Sequence, residues 1–401
     1  MTGNSKITAT ASVFFFSLLF VITGANAAEL TGSATVEGSF FFHAPQYAGQ
    51  KQHDSSLSLT AEYYYELISG SNITITPFAR LDIGDSQRTH ADFRELNFMY
   101  LADGWEATAG ISKVFWGATE FVHLVDIINQ TDLVEDIDGA EKLGQPMLRL
   151  SFVREWGVVE GFLLPLFRER TFPGKKGRLR SSVVVDTDQA VYESSAEQYH
   201  PDFALRYSHI LGTCDLGIAQ FFGTSREPSL LETDSGTGET RFYPYYPQIT
   251  QTGVDLQMVH GEWLGKGEAL YRSGQGRDFF AATFGVEYTF YGVLGSSIDL
   301  GILGEYIFDD RDETSATAFD NDVMIGLRWT ANDAPGTRLL AGIMKNVDSS
   351  SLSFTLEANR RIGETMKLQL SGYVFGGADE TDPLFPLKQD DFVKLEAIYY
   401  F

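Results

Sequence analysis

The side chains able to do covalent chemistry are few and scattered. Cys214 is the only cysteine in 401 residues. It has no histidine or second cysteine beside it and reads as a small apolar residue at a turn. Of the seven histidines, His209 and His260 fall near strand ends. His43, His53, His90, His123 and His200 fall in or beside loops. None stands in the His-Glu-x-x-His spacing that sets two imidazoles around zinc. No Gly-x-Ser-x-Gly elbow presents a nucleophile. Paired carboxylates abound, as they must in a chain with 54 acidic and 30 basic residues and a net charge of −24. The expectation is no catalytic residue, no metal, no cofactor and no enzymatic activity. Nucleic acid is also excluded as a partner, because its phosphates need basic residues to neutralise them.

Two charged stretches remain. Asp132 to Glu141 is an acidic run. It lacks the Asp-x-Asp-x-Asp-Gly spacing and closing bidentate Glu of a calcium loop, so a solvated acidic loop is expected. Arg168, Arg170, Lys175, Lys176, Arg178 and Arg180 form a basic stretch opposed only by Glu169. Arginine forks suit phosphate. Tyr243-Pro244-Tyr245-Tyr246-Pro247 offers rings for stacking, and an ordinary packed loop is the plainer reading.

The elements that must carry these residues follow from periodicity. Residues 1–27 have the three parts of a secretory signal: Lys6, the apolar stretch from Ile7 to Gly24, and the small-x-small site Ala25-Asn26-Ala27. The mature chain, 28–401, contains no apolar run long enough for a membrane-spanning helix. It alternates apolar and polar residues in segments of about 9–12 residues, the length of a tilted strand crossing a bilayer. Val393, Leu395, Ala397, Tyr399 and Phe401 alternate with Lys394, Glu396, Ile398 and Tyr400. Leu57, Leu59, Ala61, Tyr63 and Tyr65 alternate with Ser58, Thr60, Glu62, Tyr64 and Glu66. Such segments number about eighteen, with sixteen as the alternative count. Short connections such as Ser69-Gly70-Ser71 and Ala102-Asp103-Gly104 alternate with long ones such as 114–145 and 165–201. Tight turns on one rim and long loops on the other predict a closed antiparallel transmembrane β-barrel, all-β and a single domain. Closure is required because an unpaired backbone group in hydrocarbon costs several kcal/mol.

The inward stripe then carries Glu62, Arg80, Glu106, Arg206, Lys266, Glu268, Arg328, Lys394 and Glu396. Charges of mixed sign at this density need water or an inserted plug.

On these features the chain resembles the Gram-negative outer-membrane porin superfamily. The resemblance rests on the signal, the alternation, the loop pattern and the terminal Leu395-Glu396-Ala397-Ile398-Tyr399-Tyr400-Phe401. It implies that Tyr399 and Phe401 signal to the outer-membrane assembly machinery. It also implies an outer-membrane location after export, contact with lipid and lipopolysaccharide, and a homotrimer. The segment from Trp116-Gly117 to Asp126-Ile127-Ile128-Asn129-Gln130-Thr131-Asp132 is similar to a motif of poorly characterised proteobacterial outer-membrane barrels, with Gln130 in place of Pro.

The third long loop, 114–145, holds too many apolar residues to face water and is expected to fold against the inner wall. By the resemblance it narrows the pore. The expected constriction sets Glu120, Asp126, Asp132, Glu135 and Asp136 against Arg149, Arg168, Arg170, Arg178 and Arg180. The leading functional expectation is passive diffusion of small polar solutes or ions. One alternative is a transporter for a hydrophobic or bulky substrate, its lumen occluded by the third loop. Another is a non-conducting structural or surface-interaction barrel.

Overall fold

The computed structural model describes residues 28–234, 240–311 and 319–401. The expected signal segment, 1–27, lies outside the described residues. Eighteen antiparallel strands, from Ala28–Phe41 to Phe392–Tyr400, form one sheet. Each pairs with its neighbours in the chain, and the first pairs with the last from Ser33↔Tyr400 to Phe41↔Phe392. The sheet therefore closes on itself and leaves no edge. The count is eighteen and not sixteen.

The period-2 pattern sets the two faces. On the outside stand residues such as Leu59, Leu148, Leu205, Phe284, Ile325 and Leu395, each 40–64% exposed. Leaving such a belt in water is unfavourable by roughly 25 cal/mol per Å² of apolar surface, whereas in a bilayer it is solvated by lipid tails. Near the short-turn rim, rings pair as Tyr100–Trp105, Trp156–Tyr207 and Trp263–Tyr288, an aromatic girdle at the interface depth. Both ends of the barrel chain lie on this rim.

The opposite rim carries the long connections 42–52, 113–144, 165–201, 225–247, 310–320 and 377–391. Alternation did not reveal one feature there. Val191–Tyr192, Ser229–Asp234 and Thr240–Tyr246 form a separate three-stranded sheet that ties loop 165–201 to loop 225–247. Its central strand contains Pro244, opposite Leu230. A proline in a run argues against a strand on sequence grounds, which is why this segment reads as loop.

Candidate functional site

The third long loop enters the lumen, and its motif residues hold its neck together. The Asn129 amide donates to the carbonyls of Ser112 and Leu143 at 2.9 and 2.8 Å, and its Oδ1 accepts from Val114 N–H at 2.8 Å. One buried side chain thus ties the two ends of the loop. Asp126 accepts from Trp116 N–H at 3.3 Å. Trp116 packs edge-on against Phe162 of the wall, 5.6 Å between centroids, beneath Arg206. With Val125, Ile127 and Ile128 it joins the wall residues Met147, Phe221 and Ile249 in a dry cluster. Gln130 lies at the proline position of the motif. Its side chain accepts from Arg170 Nε at 3.3 Å and donates to the Arg168 carbonyl at 3.3 Å, contacts a proline could not make.

Beyond the neck, two wall carboxylates hold the loop backbone. Glu268, 1% exposed, accepts from Ala118 N–H, Thr119 N–H, the Thr119 hydroxyl and Val125 N–H at 2.7–3.2 Å. Gly117, at φ +146°, makes the turn over it, where a Cβ would meet Glu268 Oε1 at 2.9 Å. Glu305 accepts from Glu120 N–H at 2.7 Å and Phe121 N–H at 3.2 Å.

The loop's own acids reach wall cations around the lumen. Glu120 pairs with Lys266 at 2.9 Å and Arg328 at 2.7 Å. Asp132 meets Arg94 at 2.7 Å, Glu135 meets Arg80 at 2.7 Å, and Asp136 meets Lys394 at 2.5 Å. Asp126 pairs within the loop with Lys142 at 3.3 Å. Burial nonetheless pushes its pKa up, against the pull of Lys142. The expectation of a solvated acidic run is therefore corrected for its first half: Asp132 is 0% and Glu135 9% exposed, because wall cations take the place of water around them, while Asp138 and Glu141 remain exposed.

The arginines of the basic loop make their ion pairs elsewhere than with these acids, although Arg180 lines the same cavity as Glu120 and Asp138. Arg168 pairs with Asp92 of the wall and Arg178 with Asp390 of the last long loop, at 3.1 and 2.6 Å. Arg170 donates to Gln130 and to the Arg226 carbonyl. Arg180 lies 3.9 Å over the Tyr47 ring and donates to the carbonyls of Ser181 and Ser182. Arg149 belongs to the wall, bound to Glu160 at 2.7 Å and Glu106 at 3.4 Å.

The remaining inward residues share this face. Arg206 pairs with Asp255 at 2.7 Å, and Glu62 and Glu396 lie in phase with the buried Ser58 and Lys394. Tyr399 and Phe401 point outward, about half exposed. His90, Asp132 and Glu135 bring donor atoms within 4.8 Å of one another. Arg94 and Arg80 already hold both carboxylates, so this set does not fit a divalent metal.

Part of the lumen stays open beside these contacts. A cavity of about 590 Å³ lies between the inserted loops and the wall strands Arg338–Asn346, Leu352–Ile362 and Met366–Gly376. Its walls include Phe121, Val183, Val185, Phe319, Phe375 and Leu384, and its polar groups include Glu120, Asp138, Arg180 and Glu357. The Phe121 ring sits against Gly342, where a Cβ would come within 2.8 Å of it. Sequence reasoning missed Phe121, Gly342, Asp138 and Glu357 as a set. They come from a loop and two strands far apart in the chain, and no local pattern links them.

No protein-family profile matches the chain, and no curated protein matches it in sequence. Solved structures do match its fold. A BenF-like porin from Pseudomonas fluorescens Pf-5 is 11% identical at a TM-score of 0.54, covering 94% of this chain and 98% of that one. OccK3 (OpdO) of Pseudomonas aeruginosa is 8% identical at a TM-score of 0.50, covering 93% and 95%.

Proposed function

Starting from this porin-type fold, we propose that the protein is a narrow, substrate-selective channel of the outer membrane. Its route runs down the wall of strands Arg338–Asn346 and Leu352–Ile362, past Phe121 and Glu357. The observation that carries this reading is the 590 Å³ cavity beside a lumen otherwise crossed by pinned loops. A general diffusion pore needs a wide wet lumen. Here the ion pairs of Glu120, Asp132, Glu135 and Asp136 span the space such a pore would leave to water. The reading favours a selective conduit over free passage of small polar solutes, and transport over catalysis.

The same proposal includes removal of residues 1–27, a single barrel domain over 28–401, and insertion by the assembly machinery through Tyr399 and Phe401. It further includes lipopolysaccharide and lipid around the wall, and a homotrimer as the assembly.

Single-channel recording in planar bilayers tests it. Small discrete steps are expected from the native protein, and Phe121→Ala should enlarge them by opening the gap over Gly342. Silence from both proteins would overturn the reading.

A further inference from the structure

Among the described residues, no cation pairs with Asp138 or Glu357. Neighbouring cations are engaged elsewhere: Lys394 by Asp136 at 2.5 Å, and Arg328 by Glu120 and Glu287 at 2.7 and 3.0 Å. Asp138 accepts one backbone bond, from Ala140 N–H at 2.8 Å. Both carboxylates line the 590 Å³ cavity, a volume ordinary for a small-molecule site. Aromatic rings line it with them: Phe121, Phe172, Phe319, Tyr373 and Phe375. Carboxylates without a counter-ion, set among aromatic faces, are the surroundings in which an organic ammonium is stabilised, by charge pairing and by ring quadrupoles together.

The cavity's one guanidinium does not reverse this. Arg180 is held against Tyr47 and by two backbone carbonyls, with its Nε left without a partner; its single positive charge stands against the two carboxylates Asp138 and Glu357 and leaves the cavity net negative.

We propose that the cavity binds an amphipathic organic cation, its ammonium at Asp138 and Glu357 and its apolar body among the aromatic and aliphatic walls. This rests on the channel reading for its meaning, as the substrate class, but not for its test. The cation neutralises two carboxylates that burden each other. Burial pushes the Asp138 pKa up to about 6, helped by Asp136 of its own loop and Glu357 of the facing strand. Tyr373 and Lys394 are the other titratable groups that face it. Ligand affinity therefore rises as pH increases through 6 and Asp138 becomes charged.

The test is calorimetric titration of the purified full-length mature protein in detergent with three probes of one shape: phenethylammonium, phenethyl alcohol and 3-phenylpropionate. The ammonium should bind, the alcohol about tenfold more weakly, and the carboxylate weakest. Glu357→Gln and Asp138→Asn should each weaken the ammonium about tenfold and leave the alcohol unchanged. Both are near-isosteric changes at lumen-facing groups outside any ion pair, so folding is preserved. Arg180→Gln should not weaken the ammonium. Equal or tighter binding of the carboxylate, above all if Arg180→Gln abolishes it, would overturn the proposal. So would indifference of the ammonium to both carboxylate variants, or absence of binding by every probe. Bilayer currents separate the two readings: ammonium binding without conductance would sink the channel and leave the site, and conductance without binding would do the reverse.

Discussion

Glu268 and Glu227 do opposite jobs with the same side chain. Glu268, in the wall, offers its oxygens to four donors of the third loop. Glu268→Ala would strand those donors. Each buried donor left without a partner costs roughly 1–3 kcal/mol, and here the loss falls on the loop and not on the barrel. Single-channel steps should become larger and noisier, and unchanged steps would contradict the pinning role. Glu227, in loop 225–247, takes Arg311 at 2.7 Å and Arg272 at 3.0 Å. Burial alone would raise its pKa, but the two guanidiniums overcome that and hold it at about 2. A depressed carboxylate contributes stability above its unfolded value of 4.5, and that contribution is lost as pH falls from 4.5 towards 2. Pepsin nicking of loop 225–247 should therefore rise steeply over that window. In Glu227→Gln the same nicking should be high already at pH 4.5.

At the scale of elements, the inserted loop behaves as part of the core. Its neck is tied by Asn129, its first half is fixed by Glu268 and Glu305, and its acidic half is clamped to Arg94, Arg80 and Lys394. Apolar contacts add to this: Val122 and Phe121 pack on Ile307, Met324 and Met344. Asn129→Ala would leave two carbonyls and one N–H without partners, each worth about 1–3 kcal/mol when buried. The strands would persist while the loop loosened. Amide exchange over 114–131 should quicken with the barrel strands unchanged, and equal protection in both proteins would refute the neck's role.

For the whole molecule, the decisive event is closure. The seam joins the two ends of the chain, with Gly32 and Phe401 exchanging both backbone hydrogen bonds at 3.0 Å. The Phe401 ring lies so close that a Cβ at Gly32 would meet it at 2.6 Å. Gly32→Val must displace that ring or open the seam. Heat-modifiable migration on denaturing gels reports closure, and Gly32→Val should unfold at a lower temperature than the native protein, by about 1–2 °C for each kcal/mol lost in a chain of this length. An unshifted transition would show that the ring simply turns away.

The strands, their number and their two faces were legible in the sequence, because a strand's side-chain alternation is local and a bilayer imposes one length on all of them. The entry of loop 114–145 into the lumen was legible too, since its apolar residues had to leave water. Which cation each acid would meet was not. Asp132 finds Arg94, and Asp136 finds Lys394 more than 250 residues away, because barrel closure brings those side chains onto one inner surface. The same closure explains why Arg178 pairs with Asp390 and Arg180 lies over Tyr47. The cavity with Asp138 and Glu357 is a remainder, the volume left once every other contact is made. Only the assembled tertiary structure fixes such a space, whereas the alternation that builds the wall is written into each strand.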